Sequence, residues 1–134
     1  MSALQRHRPG RRRFAFVLAL CGWSGLLAVP AKAEDYRPVT ERTAFLALVE
    51  GRTLSIWLMG VTIRVGSDGS LTGESRGRPM IGRWTWQNGT FCHEIEIDGI
   101  TGPADCQRVE ALGETRLRLT SRGGRGESTV YLVL

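Results

Sequence analysis

The chain has 134 residues, with 18 Lys and Arg against 13 Asp and Glu and a net charge of +5. Six of the cations, Arg6, Arg8, Arg11, Arg12, Arg13 and Lys32, fall in residues 1–33, which hold no acid, so residues 34–134 carry a net charge of −1. That balance excludes a nucleic-acid footprint, and about 100 residues make one domain, too few for a two-lobed cofactor enzyme.

Residues 1–33 read as a secretory signal peptide. Arg6 to Arg13 form a basic head, Phe14 to Val29 an apolar run of 16 residues, and Ala31-Lys32-Ala33 places small residues ahead of a cut before Glu34. The apolar run is shorter than the roughly 20 residues that span a bilayer, so no permanent membrane anchor is expected. Arg11-Arg12-Arg13-Phe14 leaves twin-arginine export open beside the general route. Leu20 is too large beside Cys21 for a lipoprotein signal. The expected location is periplasmic or secreted, in a bacterial envelope, with residues 34–134 as a single β-rich domain.

Loss of the leader removes Cys21 and leaves Cys92 and Cys106. Two cysteines in an exported domain predict one disulfide, worth roughly 3 kcal/mol by loop-closure entropy. A metal or redox pair lacks support, because there is no CxxC and His93 is the one histidine left. No cofactor and no metal is expected.

Along the domain, one helix precedes a series of strands. Thr40 reads as its N-cap, Glu41 lies in the first turn, and Ala44, Phe45, Leu48 and Val49 form an apolar stripe ended by Gly51. Turns follow at Asp68-Gly69, Asn88-Gly89, Asp98-Gly99, Leu112-Gly113 and Gly123-Gly124. Between them lie strand-like runs at 54–65, 70–75, 79–87, 90–97, 106–111, 115–120 and 128–134. The expected fold class is mainly β, an antiparallel meander forming a small barrel or sandwich with one N-terminal helix and one disulfide.

Asn88-Gly89 suits a two-residue type I′ turn, which sets Trp86 opposite Phe91 and Trp84 opposite His93. Alternation then puts Trp84, Trp86, Phe91, His93, Ile95 and Ile97 on one buried face. Arg83, Cys92, Glu94 and Glu96 share the outer face, so the disulfide staples the outside. A three-residue 98–100 loop would set Cys92 opposite Cys106 and His93 opposite Asp105.

The stretch Gly82-Arg83-Trp84-Thr85-Trp86-Gln87-Asn88-Gly89-Thr90-Phe91-Cys92, with Asp105-Cys106-Gln107, resembles small exported β-proteins of alphaproteobacteria without an established activity. Their shared pattern is G-x-W-x-W, a turn, an aromatic-Cys pair and a later Cys-Gln. Leu48 to Leu54 and the Asp68-Gly69 turn extend the likeness over most of the domain. Some similar chains carry the label dihydrodipicolinate reductase. That label lacks its parts here: no G-x-G-x-x-G links a strand to a helix, and residues 34–134 contain no lysine.

The candidate sites are few. His93 with Asp105 forms a polar core pair, read as a packed, hydrogen-bonded histidine in preference to a catalytic one. Glu94, Glu96 and Asp98 make an acidic row that pairs across strands with Arg83, Arg116 or Arg118 more readily than it holds calcium. Trp57, Leu58 and Met59 read as core. The expected role is a non-catalytic binding or envelope-associated module, inhibitor-like by architectural analogy, with an envelope protein or small ligand as partner. The alternative is a small hydrolase-type enzyme using His93 or the surface carboxylates.

Overall fold

Glycine-containing pairs at positive φ turn the chain back on itself. Asn88 and Gly89 take φ of 49° and 72°, Asp98 and Gly99 53° and 80°, and Arg76 and Gly77 53° and 75°. Each pair connects two antiparallel strands, as a type I′ turn requires. The computed structural model describes residues 33–134. The predicted leader, Ala33 apart, lies outside the described residues.

The strands are β1 (Arg37–Val39), β2 (Leu54–Ile56), β3 (Val61–Val65), β4 (Ser70–Ser75), β5 (Arg78–Gln87), β6 (Thr90–Ile97), β7 (Ile100–Thr101), β8 (Asp105–Leu112), β9 (Arg116–Thr120) and β10 (Ser128–Val133). All neighbours are antiparallel. The order β8-β9-β10-β2-β3-β4-β5-β6 returns to β8, so eight strands close a barrel. β1 extends the pairing of β8, and β7 pairs with the last two residues of β6, Glu96 and Ile97. The carboxyl-terminal strand completes the wall, with Thr53 and Leu134 exchanging two backbone hydrogen bonds of 2.9 Å.

Closure between β6 and β8 is narrow. Only Phe91, Cys92 and His93 meet β8, opposite Gln107, Cys106 and Asp105. The Cys92–Cys106 disulfide crosses the middle pair of this seam. The register is the expected one, but the loop is not. Asp98-Gly99 forms a two-residue turn that pairs Ile97 with Ile100, and the extra residue is taken up across Gly102-Pro103-Ala104. Pro103 has no N–H to give the ladder, which favours the break there.

A single helix, α1 (Arg42–Val49), fills one end of the barrel. Its N-cap is Glu41 and not Thr40, and no side chain caps it; the Thr40 carbonyl instead accepts the Trp86 indole N–H at 3.1 Å. The buried face is Phe45, Leu46 and Val49, rotated by about one residue from the expected stripe, with Ala44 exposed. Phe45 stacks on Trp86 at 5.1 Å and meets Trp84 edge-on at 5.7 Å, geometries that add to simple area burial. Trp84 is buried and donates to the Gly66 carbonyl at 2.8 Å. Trp86 is only half-buried, a correction to the expected aromatic face.

Inward alternation holds on the other strands. Ile63, Val65, Leu71, Met80, Val109, Leu117, Leu119 and Val133 join one core. The run 54–65 is not one strand, however. Trp57–Met59 form a 3-10 turn and Gly60 takes φ of 62°, so the segment is a hairpin. Trp57, Leu58 and Met59 are consequently exposed, at 72, 79 and 51%, and not core.

The outer face carries one well-formed ion pair. Arg118 faces Glu110 across the β8–β9 ladder and binds both carboxylate oxygens, at 2.9 and 3.0 Å. Its guanidinium also lies 4.2 Å from the Tyr36 ring centre. Arg116 pairs with Glu34 at 2.6 Å. The expected pairs with Glu94, Glu96 and Asp98 do not form among the described residues, although Arg83 and Glu94 stand opposite each other.

The Arg118 hydrogen bonds hold the Glu110 carboxyl below its ordinary value of 4.5. The folded state thus favours the carboxylate, and stability from this pair is present above pH 4.5 and lost as pH falls through the folded value. Glu110→Gln should lower stability by about 2 kcal/mol at pH 7, with a smaller loss at pH 3. Urea melts at the two pH values check this; an equal loss at both would assign the effect to packing.

Candidate functional site

The ring of aromatic side chains above α1 closes one end of the barrel. The opposite end, bounded by the turns at Arg76-Gly77 and Asp98-Gly99, stays open. Along β5 the inward positions from closed to open end are Trp86, Trp84, Gly82, Met80 and Arg78, so the indole bulk of the closed end stops at Trp84 and Gly82 carries no side chain at all. Gly82 also sits where a Cβ would run into the Glu94 backbone carbonyl, a close strand approach that only glycine allows.

The mouth holds a cavity of about 460 Å³. Its walls are mainly Val61, Ile63, Met80, Ile95, Ile97 and Tyr131, with Ser75 and Arg78 at the rim. The break at Gly102-Pro103 forms part of one side, and Ile100, exposed at 73%, stands beside it. Deeper in, a recess of about 60 Å³ lies among Leu54, Leu71, Phe91, His93, Gln107, Leu119 and Tyr131. Ile63, His93, Ile95 and Tyr131 line both spaces. The site is an apolar cup with polar atoms toward its floor.

His93 and Tyr131 are the titratable groups of that recess, and His93 is the more basic side chain of the two. Burial pushes its imidazole below the ordinary 6.5, against the opposing pull of the Gln107 side chain and the Asp105 carboxylate. The ring is therefore neutral at pH 7. Its Nδ1 is buried and has no hydrogen-bond partner among the described residues. The phenol of Tyr131 is pushed up by burial and stays protonated. Both groups thus present uncharged polar atoms to the cup.

His93 and Asp105 stand opposite each other as the register led one to expect, with no hydrogen bond between their side chains among the described residues. Asp105 Oδ1 accepts the backbone N–H of Arg122 at 3.0 Å, tying β8 to the tight turn Ser121–Gly124. Gln107, two residues on and facing Phe91, is the side chain beside the imidazole instead. The acidic row lies outside the barrel, where Glu94 and Glu96 border a groove with Ile81, Arg83 and Thr101. A second outer groove of about 310 Å³ runs over the disulfide. Among the described residues, no group of three or more His, Cys, Asp or Glu is placed to hold a metal. No described helix is long and apolar enough to cross a membrane.

The sequence pattern located His93, Ile95 and Ile97 on the inner face. Met80, Arg78, Gln107 and Tyr131 were not recognisable as cup residues, although a two-residue alternation extended back from Trp84 reaches Met80 and Arg78. Comparison of the chain with protein-family profiles, curated proteins and solved structures finds no match.

Proposed function

We propose that this chain is an exported β-barrel that works by binding an apolar small molecule in its open mouth, without converting it. The observation that carries the reading is the apolar cavity of about 460 Å³ opposite the end filled by α1. Ligand pockets fall at about 300–1,000 Å³, with apolar walls and few polar groups. Eight strands make a barrel of the size that holds one small ligand. The leader composition and the Cys92–Cys106 disulfide support an oxidising compartment, periplasmic or secreted.

The hydrolase alternative has less support. His93 is the natural base, yet the carboxylate that would orient it is engaged with the Arg122 N–H. Glu94 and Glu96 lie on the outer face, away from the cup. A partner-docking role draws on a different observation, the exposed Trp57, Leu58, Met59 and Val130.

Calorimetric titration with decanol tests the reading. The purified protein should bind it, and Ile97→Trp, which places bulk at the mouth, should weaken binding at least tenfold with little loss of stability. Decanol should be recovered chemically unchanged after prolonged incubation. Binding that is indifferent to Ile97→Trp would contradict the cup as the site.

A further inference from the structure

The rim of the cup carries a charge in an unusual place. Arg78 begins β5 and, two and six residues before Met80 and Trp84, shares their inward alternation. An inward position on a barrel strand ordinarily carries an apolar side chain. Here it carries a guanidinium, opposite Ser75, whose side chain also borders the cavity. Arg78 is exposed, so water solvates it where the cup opens.

No acid lines the cavity among the described residues, and Arg78 is its only cation once His93 is neutral. Nor does Arg78 form an ion pair among those residues. Its nearest strand neighbours in register, Ser75 across the turn and Met80 along the inner face, bring no negative charge. An apolar cup whose lining carries one free guanidinium and no acid, with Arg76 and Asp98 on the turns outside that lining, has the charge pattern complementary to an anionic amphiphile. A guanidinium suits a carboxylate in particular, because its fork matches the two oxygens.

Resting on the reading of the mouth as a ligand site, we infer that the cup takes an alkyl carboxylate, its chain against Ile63, Ile95, Ile97 and Tyr131 and its head group at Arg78. The geometry orders the ligand with its charged end in water. The chain then removes apolar surface from solvent without burying a charge, which is the arrangement of lowest cost. One cavity of about 460 Å³ also favours a single chain over a two-chain lipid.

Calorimetry with three ligands of equal chain length, decanoate, decanol and decyltrimethylammonium, tests the inference. Decanoate should bind about tenfold more tightly than decanol, and decyltrimethylammonium most weakly. The decanoate preference should shrink as salt rises, since the pair sits at the exposed rim. In Arg78→Gln the ratio of decanoate to decanol affinity should collapse toward one. Equal affinities in the unaltered protein, or a preference that survives Arg78→Gln, would overturn the inference while leaving the cup a ligand site. Failure of all three ligands to bind would overturn the inference and the underlying reading together.

Discussion

Trp84→Ala should destabilise the protein by about 3–5 kcal/mol, whereas Arg83→Ala should cost about 0.5 kcal/mol or less. The two residues are neighbours on β5 and differ in the face they occupy. Trp84 is 4% exposed, meets the rings of Phe45 and Phe91 at 5.7 Å, and donates its indole N–H to Gly66. Truncation leaves a cavity at the closed end, exposes the inner face of α1, and removes one of the two hydrogen bonds that the Gly66 carbonyl accepts, leaving the one from the Gly69 N–H. Arg42, whose guanidinium lies 5.1 Å from the Trp84 ring centre, loses its platform as well. Arg83 is exposed and forms no ion pair among the described residues, so its removal withdraws little. Chemical denaturation of both variants measures the difference. Equal losses would mean that β5 presents the opposite face to the core.

Replacing Cys92 and Cys106 together with Ser should lower stability by about 2–5 kcal/mol and leave a β-rich circular dichroism spectrum. Part of that loss is the entropy released to the unfolded chain when the loop between the cysteines opens. The rest is local to this barrel. The β6–β8 seam consists of Phe91, Cys92 and His93 with their three partners, and the disulfide joins the central pair. β5 and β6, by contrast, pair from Met80–Ile97 through to Gln87–Thr90, so the hairpin persists without the cross-link. Amide hydrogen exchange in the double variant should therefore rise most at β6–β8 and least at β5–β6. Uniform acceleration across the barrel would show that the seam has no special dependence on the disulfide.

The hairpins were legible because their determinants are local. Asn88-Gly89 and Asp98-Gly99 are residue pairs that tolerate positive φ, and alternation around the first turn gave the faces of β5 and β6. Arg76-Gly77 makes the same kind of turn with a weaker signal, since arginine rarely adopts φ of 53°. Trp57-Leu58-Met59 misled for a related reason. Its apolar composition suits a buried strand, but the left-handed Gly60 turns the chain and leaves all three side chains outside.

Closure of the barrel was legible only in part, because it depends on segments far apart in the chain. The two cysteines marked the β6–β8 seam and its register, but β10 meets β2 with no such mark in either segment. The candidate site was half legible on the same ground. His93 was visible as an inward residue, and the expected β6–β8 register already set Gln107 opposite Phe91, but Tyr131 depends on the return of the last strand to the wall. The cup arises where these meet. Arg78, which alternation extended back from Trp84 would reach, is a charge on the inward side of β5 and hence a position where the fold's usual apolar rule gives way.

Amide chemical-shift mapping during titration of the purified protein with decanol tests the account most directly, because an uncharged chain reports on the cup without Arg78. The account predicts saturable shifts centred on Ile63, Met80, Ile95, Ile97 and Tyr131. Shifts confined to Trp57, Leu58, Met59 and Val130 on the outer surface, or no saturable shifts at all, would contradict it.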